Sequence, residues 1–156
     1  MSTIDRWLRR EDIFSYHYIL IPINLPNHWV LCVVDFENFA IKIFNSLQTD
    51  NDHGIGEVIL AFLRREHLHK KGKDLDHLLY RTEVVTDIPR QTNDFDCGVF
   101  VILYALCVSR QQTMTFDQSD IPSWRLRILA EIVNNRLVNS TDVLDKHWHE
   151  GTEYWD

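Results

Sequence analysis

Glycine and proline are scarce in this chain, five and four among 156 residues. They do not gather into a linker, and no repeat or low-complexity stretch breaks the sequence, so a single domain is expected. No apolar run approaches the roughly 18 residues of a membrane-spanning helix. The start, Met1-Ser2-Thr3-Ile4-Asp5-Arg6-Trp7, lacks the apolar centre of a signal peptide. Cysteine is sparse and odd in number, three residues at positions 32, 97 and 107. That excludes a disulfide framework and a spaced zinc site, and points to reduced thiols in the nucleus or cytoplasm. No metal or cofactor is expected. Positive charge is also short: 16 Lys and Arg face 23 Asp and Glu, for a formal net charge of −7. With no basic stretch long enough for a nucleic-acid footprint and no apolar run long enough to span a bilayer, neither nucleic acid nor a membrane is expected as a partner. What the chain does have is 45% hydrophobic residues, including five Trp, five Tyr and eight Phe, beside 25% charged residues. This is the composition of a globular chain with enough apolar mass for one core.

Residues 18–23 are short, apolar and β-branched, and predict a strand. Leu25-Pro26-Asn27 is a turn signal. Residues 29–36 (WVLCVVDF) are nearly continuously apolar, the mark of a strand buried on both faces. After Glu37-Asn38-Phe39, residues 40–44 alternate as a returning strand, which makes a hairpin the most economical pairing. Over residues 56–69 the apolar positions Val58, Ile59, Phe62 and Leu63 recur at helical spacing. Residues 80–85 predict another strand and 89–96 a polar loop. Residues 97–109 are almost wholly apolar and long enough for a buried helix. A last amphipathic helix is expected over 123–137, with Leu126, Leu129, Ile132 and Val133 inward. Residues 139–156 carry no pattern and are expected to be a mobile appendage. Strands first and helices after, with one helix buried, predict an α+β fold.

Cys97 differs from the other two cysteines because it stands where the polar loop ends and the buried helix begins. A thiol at a helix N-terminus meets unpaired N–H groups and the positive end of the dipole, which favour the thiolate. Gly98 leaves room for a substrate backbone. Cys32 and Cys107 lie inside apolar runs and read as core residues. A nucleophilic cysteine needs a base, and the base needs an orienting partner. Of the eight histidines, His53, His67, His69, His77, His147 and His149 lie in charged surroundings and read as exposed, and His17 is unremarkable. His28 stands at the entry of the most buried strand. Asp35 is too far to orient it, about 23 Å away at roughly 3.3 Å per strand residue. If the hairpin turns about Asn38, residues whose numbers sum to about 75 face each other, and Asn45 falls one diagonal step from His28 on the same face. A slip of one residue would reverse that face, and Asn45-Ser46 reads equally as the start of a loop. Gln91, six residues before Cys97, is placed to donate its amide N–H to an oxyanion, although a loop glutamine is more often simply solvated.

Arg6-Trp7, Asp12-Ile13-Phe14, Ile21-Pro22-Ile23, Asn27-His28-Trp29, Val33-Val34-Asp35 and Gln91-Thr92-Asn93-Asp94-Phe95-Asp96-Cys97-Gly98-Val99-Phe100 together resemble the Ulp1/sentrin-specific protease family. Phe116, Gln118 and Asp120-Ile121-Pro122 follow the same family's pattern. The likeness spans residues 6–137, so residues 1–138 are expected to form part of a peptidase domain, beginning where the family's domain is already under way. The resemblance implies a papain-like α+β fold, a central mixed or antiparallel sheet with the nucleophile on a buried helix. It implies a monomeric cysteine peptidase acting on the ubiquitin-like modifier SUMO and its conjugates. His28 is then the base, Cys97 the nucleophile, Gln91 the oxyanion donor and Trp29 one wall of a channel for a Gly-Gly tail. Flat aromatic walls select such a tail by excluding side chains. The family carries Asp where this chain has Asn45. A neutral amide orients an imidazole but stabilises imidazolium less, so the alternative is a weak or inactive relative that binds a ubiquitin-like protein.

Overall fold

A computed structural model describes residues 10–47 and 54–137. Its centre is a four-stranded sheet in the order β1 (Tyr18–Leu25), β2 (His28–Asp35), β3 (Ala40–Phe44) and β4 (Arg81–Val85). The first three strands run antiparallel and β4 runs parallel to β3. A parallel neighbour needs a crossover connection, and that connection carries helix α1 (Ile55–Lys71). Two further helices follow, α2 (Cys97–Ser109) and α3 (Ile121–Val133). The architecture is the α+β arrangement of the papain-like class.

Both hairpin turns have visible causes. Leu25 pairs with His28, so only Pro26 and Asn27 separate β1 from β2. Proline presets the first corner, and Asn27 takes the left-handed conformation at φ 59°, which asparagine tolerates. At the other end of β2, the buried Asp35 carboxylate accepts from Asn38 N (3.0 Å), Asn38 Nδ2 (2.9 Å) and Lys42 Nζ (2.9 Å). These bonds close the turn into β3 and set the register in which Leu31 faces Phe44 and Cys32 faces Ile43.

Alternation along β2 explains its unbroken apolar sequence, because both faces are covered. Val30, Cys32 and Val34 join Ile41, Ile43 and α1 residues Ile55, Ile59 and Leu63 in one cluster. Leu31 and Val33 pack on the other side with Phe44 and with Phe100, Leu103 and Tyr104 of α2. Each fully buried side chain of this size stabilises the fold by about 1.5–3 kcal/mol. Helix α1 packs tightly on the sheet at Gly56, where a Cβ would stand 2.4 Å from Thr82 Oγ1. Gly72 ends α1 in the left-handed conformation at φ 69°, where glycine carries no steric cost.

The inward face expected for the last helix is corrected. Helix α3 starts at Ile121, with Pro122 in its first turn, and buries Ile121, Trp124 and Arg127. Leu126, Leu129, Ile132 and Val133 are exposed. The helix carries two apolar stripes, and the one bearing the large Trp124 ring joins the Phe100–Tyr104 cluster with Phe116. Arg127 is buried because it lies over the Trp124 ring at 4.7 Å and pairs with Glu131 at 3.2 Å. In α1, Val58 is exposed while Ile59 and Leu63 are buried. The expected appendage over residues 139–156 lies outside the described residues.

Candidate active site

Antiparallel pairing brings the start of β2 beside the end of β3, and parallel pairing brings the end of β4 to the same edge. His28 opens β2 and Asn45 follows the last residue of β3. They extend by one step the rows of Val30, Cys32 and Val34 and of Ile41 and Ile43, which share a face. His28 Nε2 lies 2.8 Å from Asn45 Oδ1. The same oxygen accepts the Leu47 N–H at 3.0 Å. A backbone N–H needs an acceptor, so this bond identifies the amide oxygen and makes Nε2 of the imidazole the donor. In the neutral ring the lone pair therefore resides on Nδ1. Asn45 is 2% exposed, which leaves its amide little freedom to turn.

The loop after β4 is stitched to this edge. Gln91 N donates to Ser46 O at 3.1 Å, and Ser46 Oγ donates to Gln91 Oε1 at 2.6 Å. Gln91 Nε2 donates to Asn93 O. The amide is thereby oriented with its oxygen toward Ser46 and its NH₂ group toward the loop interior. The Tyr104 hydroxyl donates to Pro89 O, fastening the start of the loop to α2. Cys97 is the first residue of α2 and is 7% exposed. A Cβ added at Gly98 would meet nothing within 4 Å, so the space at that position is open. Trp29, 41% exposed, belongs to the alternate row of β2 that contains Leu31 and Val33, the side on which α2 packs.

Of the residues singled out in the sequence, His28 and Asn45 are in direct contact, and Gln91 joins them through Ser46. No hydrogen bond links Cys97 to His28 among the described residues. Cys32 and Cys107 are fully buried, and burial pushes their thiols up to about 12 and about 11. His17 is exposed and pairs with Glu37 at 2.6 Å, whereas His67 is half-buried, with Nδ1 2.9 Å from Lys73 O and its ring edge-on to Phe14. His77 is also half-buried. His53, His147 and His149 lie outside the described residues. Ser46 and Asp96 were not singled out, yet both are buried and bonded within the site. Their only signal in the sequence is adjacency to Asn45 and Cys97. Among the described residues no group of three His, Cys, Asp or Glu side chains could hold a metal ion, and no helix is long and apolar enough to cross a membrane.

The sequence and the fold resemble those of known proteins. A sentrin-specific protease of Caenorhabditis elegans is 34% identical over 137 residues, covering 88% of this chain and 20% of that protein. Human sentrin-specific protease 2 is 32% identical over 139 residues, covering 88% and 23%. The chain thus spans between a fifth and a quarter of these relatives' lengths. The C-terminal Ulp1 protease domain, solved in complex with Smt3, the yeast ortholog of SUMO, superimposes with a TM-score of 0.68 at 26% identity, covering 85% of this chain and 60% of that one. The Ulp1-like SUMO protease catalytic domain of Chaetomium thermophilum gives 0.66 at 27% identity, covering 84% and 53%. The pattern of the Ulp1 protease family, C-terminal catalytic domain, matches residues 2–137, and the chain belongs to that family.

Proposed function

We propose that this chain is a thiol peptidase that hydrolyses the bond after the C-terminal Gly-Gly of a ubiquitin-like modifier, SUMO, freeing it from target lysines or from its precursor. The observation that carries this reading is the oriented imidazole: Asn45 Oδ1 accepts the hydrogen bond from Nε2–H, so Nδ1 is the nitrogen able to receive the proton of a thiol. Cys97 as thiolate attacks the carbonyl of the terminal glycine. His28, now protonated, gives its proton to the departing lysine amine, and a thioester remains on Cys97. His28 then takes a proton from water as that water attacks the thioester, releasing the modifier carboxylate and the thiol. Gln91 uses one Nε2 proton on Asn93 O, which leaves the other for the oxyanion. Trp29 walls the approach, and the open space at Gly98 admits a backbone without side chains.

A second reading, a relative that binds the modifier without cutting it, is favoured by the absence of a Cys97–His28 hydrogen bond among the described residues and by Asn45 where the family carries Asp. Covalent probes separate the two. SUMO and ubiquitin bearing a C-terminal propargylamide are added to the purified chain, and adducts are mapped by mass spectrometry. A SUMO adduct at Cys97 that disappears in Cys97→Ser and persists in Cys32→Ser and Cys107→Ser is the expected result. No adduct from a folded wild type that still binds SUMO would establish the binder instead.

A further inference from the structure

Asp96 is buried, one peptide bond from Cys97, and has no part in the proposed chemistry. It occupies the N-cap position of α2, where an aspartate ordinarily accepts from the helix's own first-turn N–H groups. Here its side chain makes no such bond. Its main chain opens the helix in the ordinary way, with Asp96 O accepting from Val99 N at 2.9 Å and Phe100 N at 3.1 Å. The carboxylate turns toward the loop and α3. Oδ2 accepts from Asn93 Nδ2 at 2.7 Å and from Gln118 Nε2 at 2.8 Å. Oδ1 accepts from Arg125 Nε at 3.0 Å and from Arg125 Nη2, a two-pronged contact.

The partners extend the grip along the loop. Gln118 Oε1 accepts the Thr92 N–H at 2.8 Å, so one side chain holds the residue after Gln91 and the residue before Cys97. Arg125 Nη2 also donates to Phe95 O at 3.2 Å. Asn93 Oδ1 accepts from Asp96 N at 3.1 Å, and Asn93 O accepts from Gln91 Nε2. The chain of bonds thus runs from Gln91 through Asn93 and Asp96 to α3. Burial pushes the Asp96 carboxyl up, but the bonds from Asn93, Arg125 and Gln118 and the Arg125 charge outweigh it and hold the group below the usual carboxylate range. An unneutralised anion at this place would oppose a Cys97 thiolate.

We propose that Asp96, clamped by Gln118 and Arg125, is the positioning residue of this site. It keeps Gln91 and Cys97 in one fixed relation and, with its charge neutralised, leaves the N-terminal end of α2 to the thiol. The proposal rests on Cys97 as the nucleophile. The charged and titratable side chains on the elements that meet at the head of α2 are Asp87, Arg90, Asp94 and Asp96 in the loop, Asp117 and Asp120 beside Gln118, His28 and Asp35 on β2, and Arg125, Arg127 and Glu131 on α3.

The test reads the thiol without a substrate. Alkylation of Cys97 by iodoacetamide is followed by peptide mass spectrometry across a pH series, with thermal melting as the check of fold and hydrolysis of a SUMO–fluorophore fusion alongside. Arg125 is half exposed, so Arg125→Ala is expected to fold. It should slow Cys97 alkylation at neutral pH about tenfold and move the profile to higher pH, since a like charge left unpaired disfavours the thiolate. Gln118→Ala should slow it less, and Arg125→Lys, keeping the charge without the fork, should recover part of the rate. In the fusion assay kcat should fall with KM little changed. Arg64→Ala, which breaks the exposed pair with Asp74, should alkylate like wild type. Wild-type rates and profiles in folded Arg125→Ala and Gln118→Ala overturn the proposal. Should Arg125→Ala lose its fold, Arg125→Lys decides: a rate threefold or more below wild type supports the clamp, and an equal rate overturns it. A wild type that alkylates at Cys97 but hydrolyses no fusion refutes the peptidase reading alone, because the alkylation series still judges the clamp.

Discussion

Replacing Asn45 by alanine removes the acceptor of the His28 Nε2 proton while leaving every other named side chain of the site in place. Two costs follow, and they separate. For stability, the bonds that Asn45 Oδ1 accepts from His28 and from Leu47 are lost, each worth about 0.5–1.5 kcal/mol net, and the Leu47 N–H can turn to water because Leu47 is exposed. The fold should survive. For activity, the ring is freed to rotate and to carry its proton on either nitrogen. General acid–base catalysis supplies about 10²–10⁴ in rate, and a ring that is correctly placed only part of the time forfeits a share of it. One to two orders of magnitude in kcat/KM are expected, equivalent to about 1.4–2.7 kcal/mol of transition-state stabilisation. Asn45→Asp keeps an acceptor at the same place and adds a negative charge, which favours the imidazolium. It should match or exceed wild type and hold its activity further into alkaline pH, where the imidazolium would otherwise lose its proton. The assay is hydrolysis of a SUMO–fluorophore fusion by the three proteins over a pH series. Equal rates and identical profiles in all three, with Cys97→Ser inactive, would refute the role given to Asn45.

Two further outcomes concern the scaffold. Gly56→Ala forces a methyl group to 2.4 Å from Thr82 Oγ1 and 2.5 Å from its Cγ2, so α1 must shift off β4; a loss of about 1–3 kcal/mol is expected in urea unfolding, and the double variant with Thr82→Ala should regain much of it. Burial raises the Asp35 carboxyl, but its bonds from Lys42 and Asn38 lower it further, so its folded value lies below the unfolded one near 3.9. Its stabilisation is therefore full above the unfolded value and lost as pH falls through the folded one. Asp35→Asn should lower stability at pH 7 by roughly 1.5–3 kcal/mol and flatten the acid limb of the stability curve below about pH 4, which chemical denaturation at stepped pH would show.

The sheet was legible because its strands bury both faces and leave no choice of side. WVLCVVDF reads as a two-sided strand, and β2 is one, with Val30 to Val34 at most 1% exposed. The buried α2 was legible for the same reason. The amphipathic α3 was not, because it has two apolar stripes and periodicity alone cannot say which one meets the core. Trp124 settles that by its size, and Arg125 reinforces it by reaching Asp96. The parallel course of β4 was also beyond reach, since nothing in five residues marks direction. At the site, His28, Cys97 and Gln91 stood out by position or spacing. Ser46, Asp96, Gln118 and Arg125 act through polar contacts between segments 20 to 45 residues apart, and such contacts leave no local pattern.

Asn45 occupies the middle ground, and its placement shows how distant the cause of a site can be. Whether it meets His28 depends on the register of β2 with β3, since a one-residue slip turns it to the opposite face. That register is set at the other end of the hairpin, where Asp35 binds Asn38 and Lys42. The far end of β2 lies about 23 Å from His28 at 3.3 Å per residue. Between the two ends, the fully buried pairs Cys32–Ile43 and Val34–Ile41 lock the strands, because slipping them would carry apolar side chains from one cluster to the other. Asp35, which is too remote to touch the imidazole, therefore serves the site by registering the strand that delivers Asn45. The acidic residue in the β2 sequence and the neutral one at the histidine divide the work: one fixes which face the amide presents, and the other fixes which nitrogen keeps the proton.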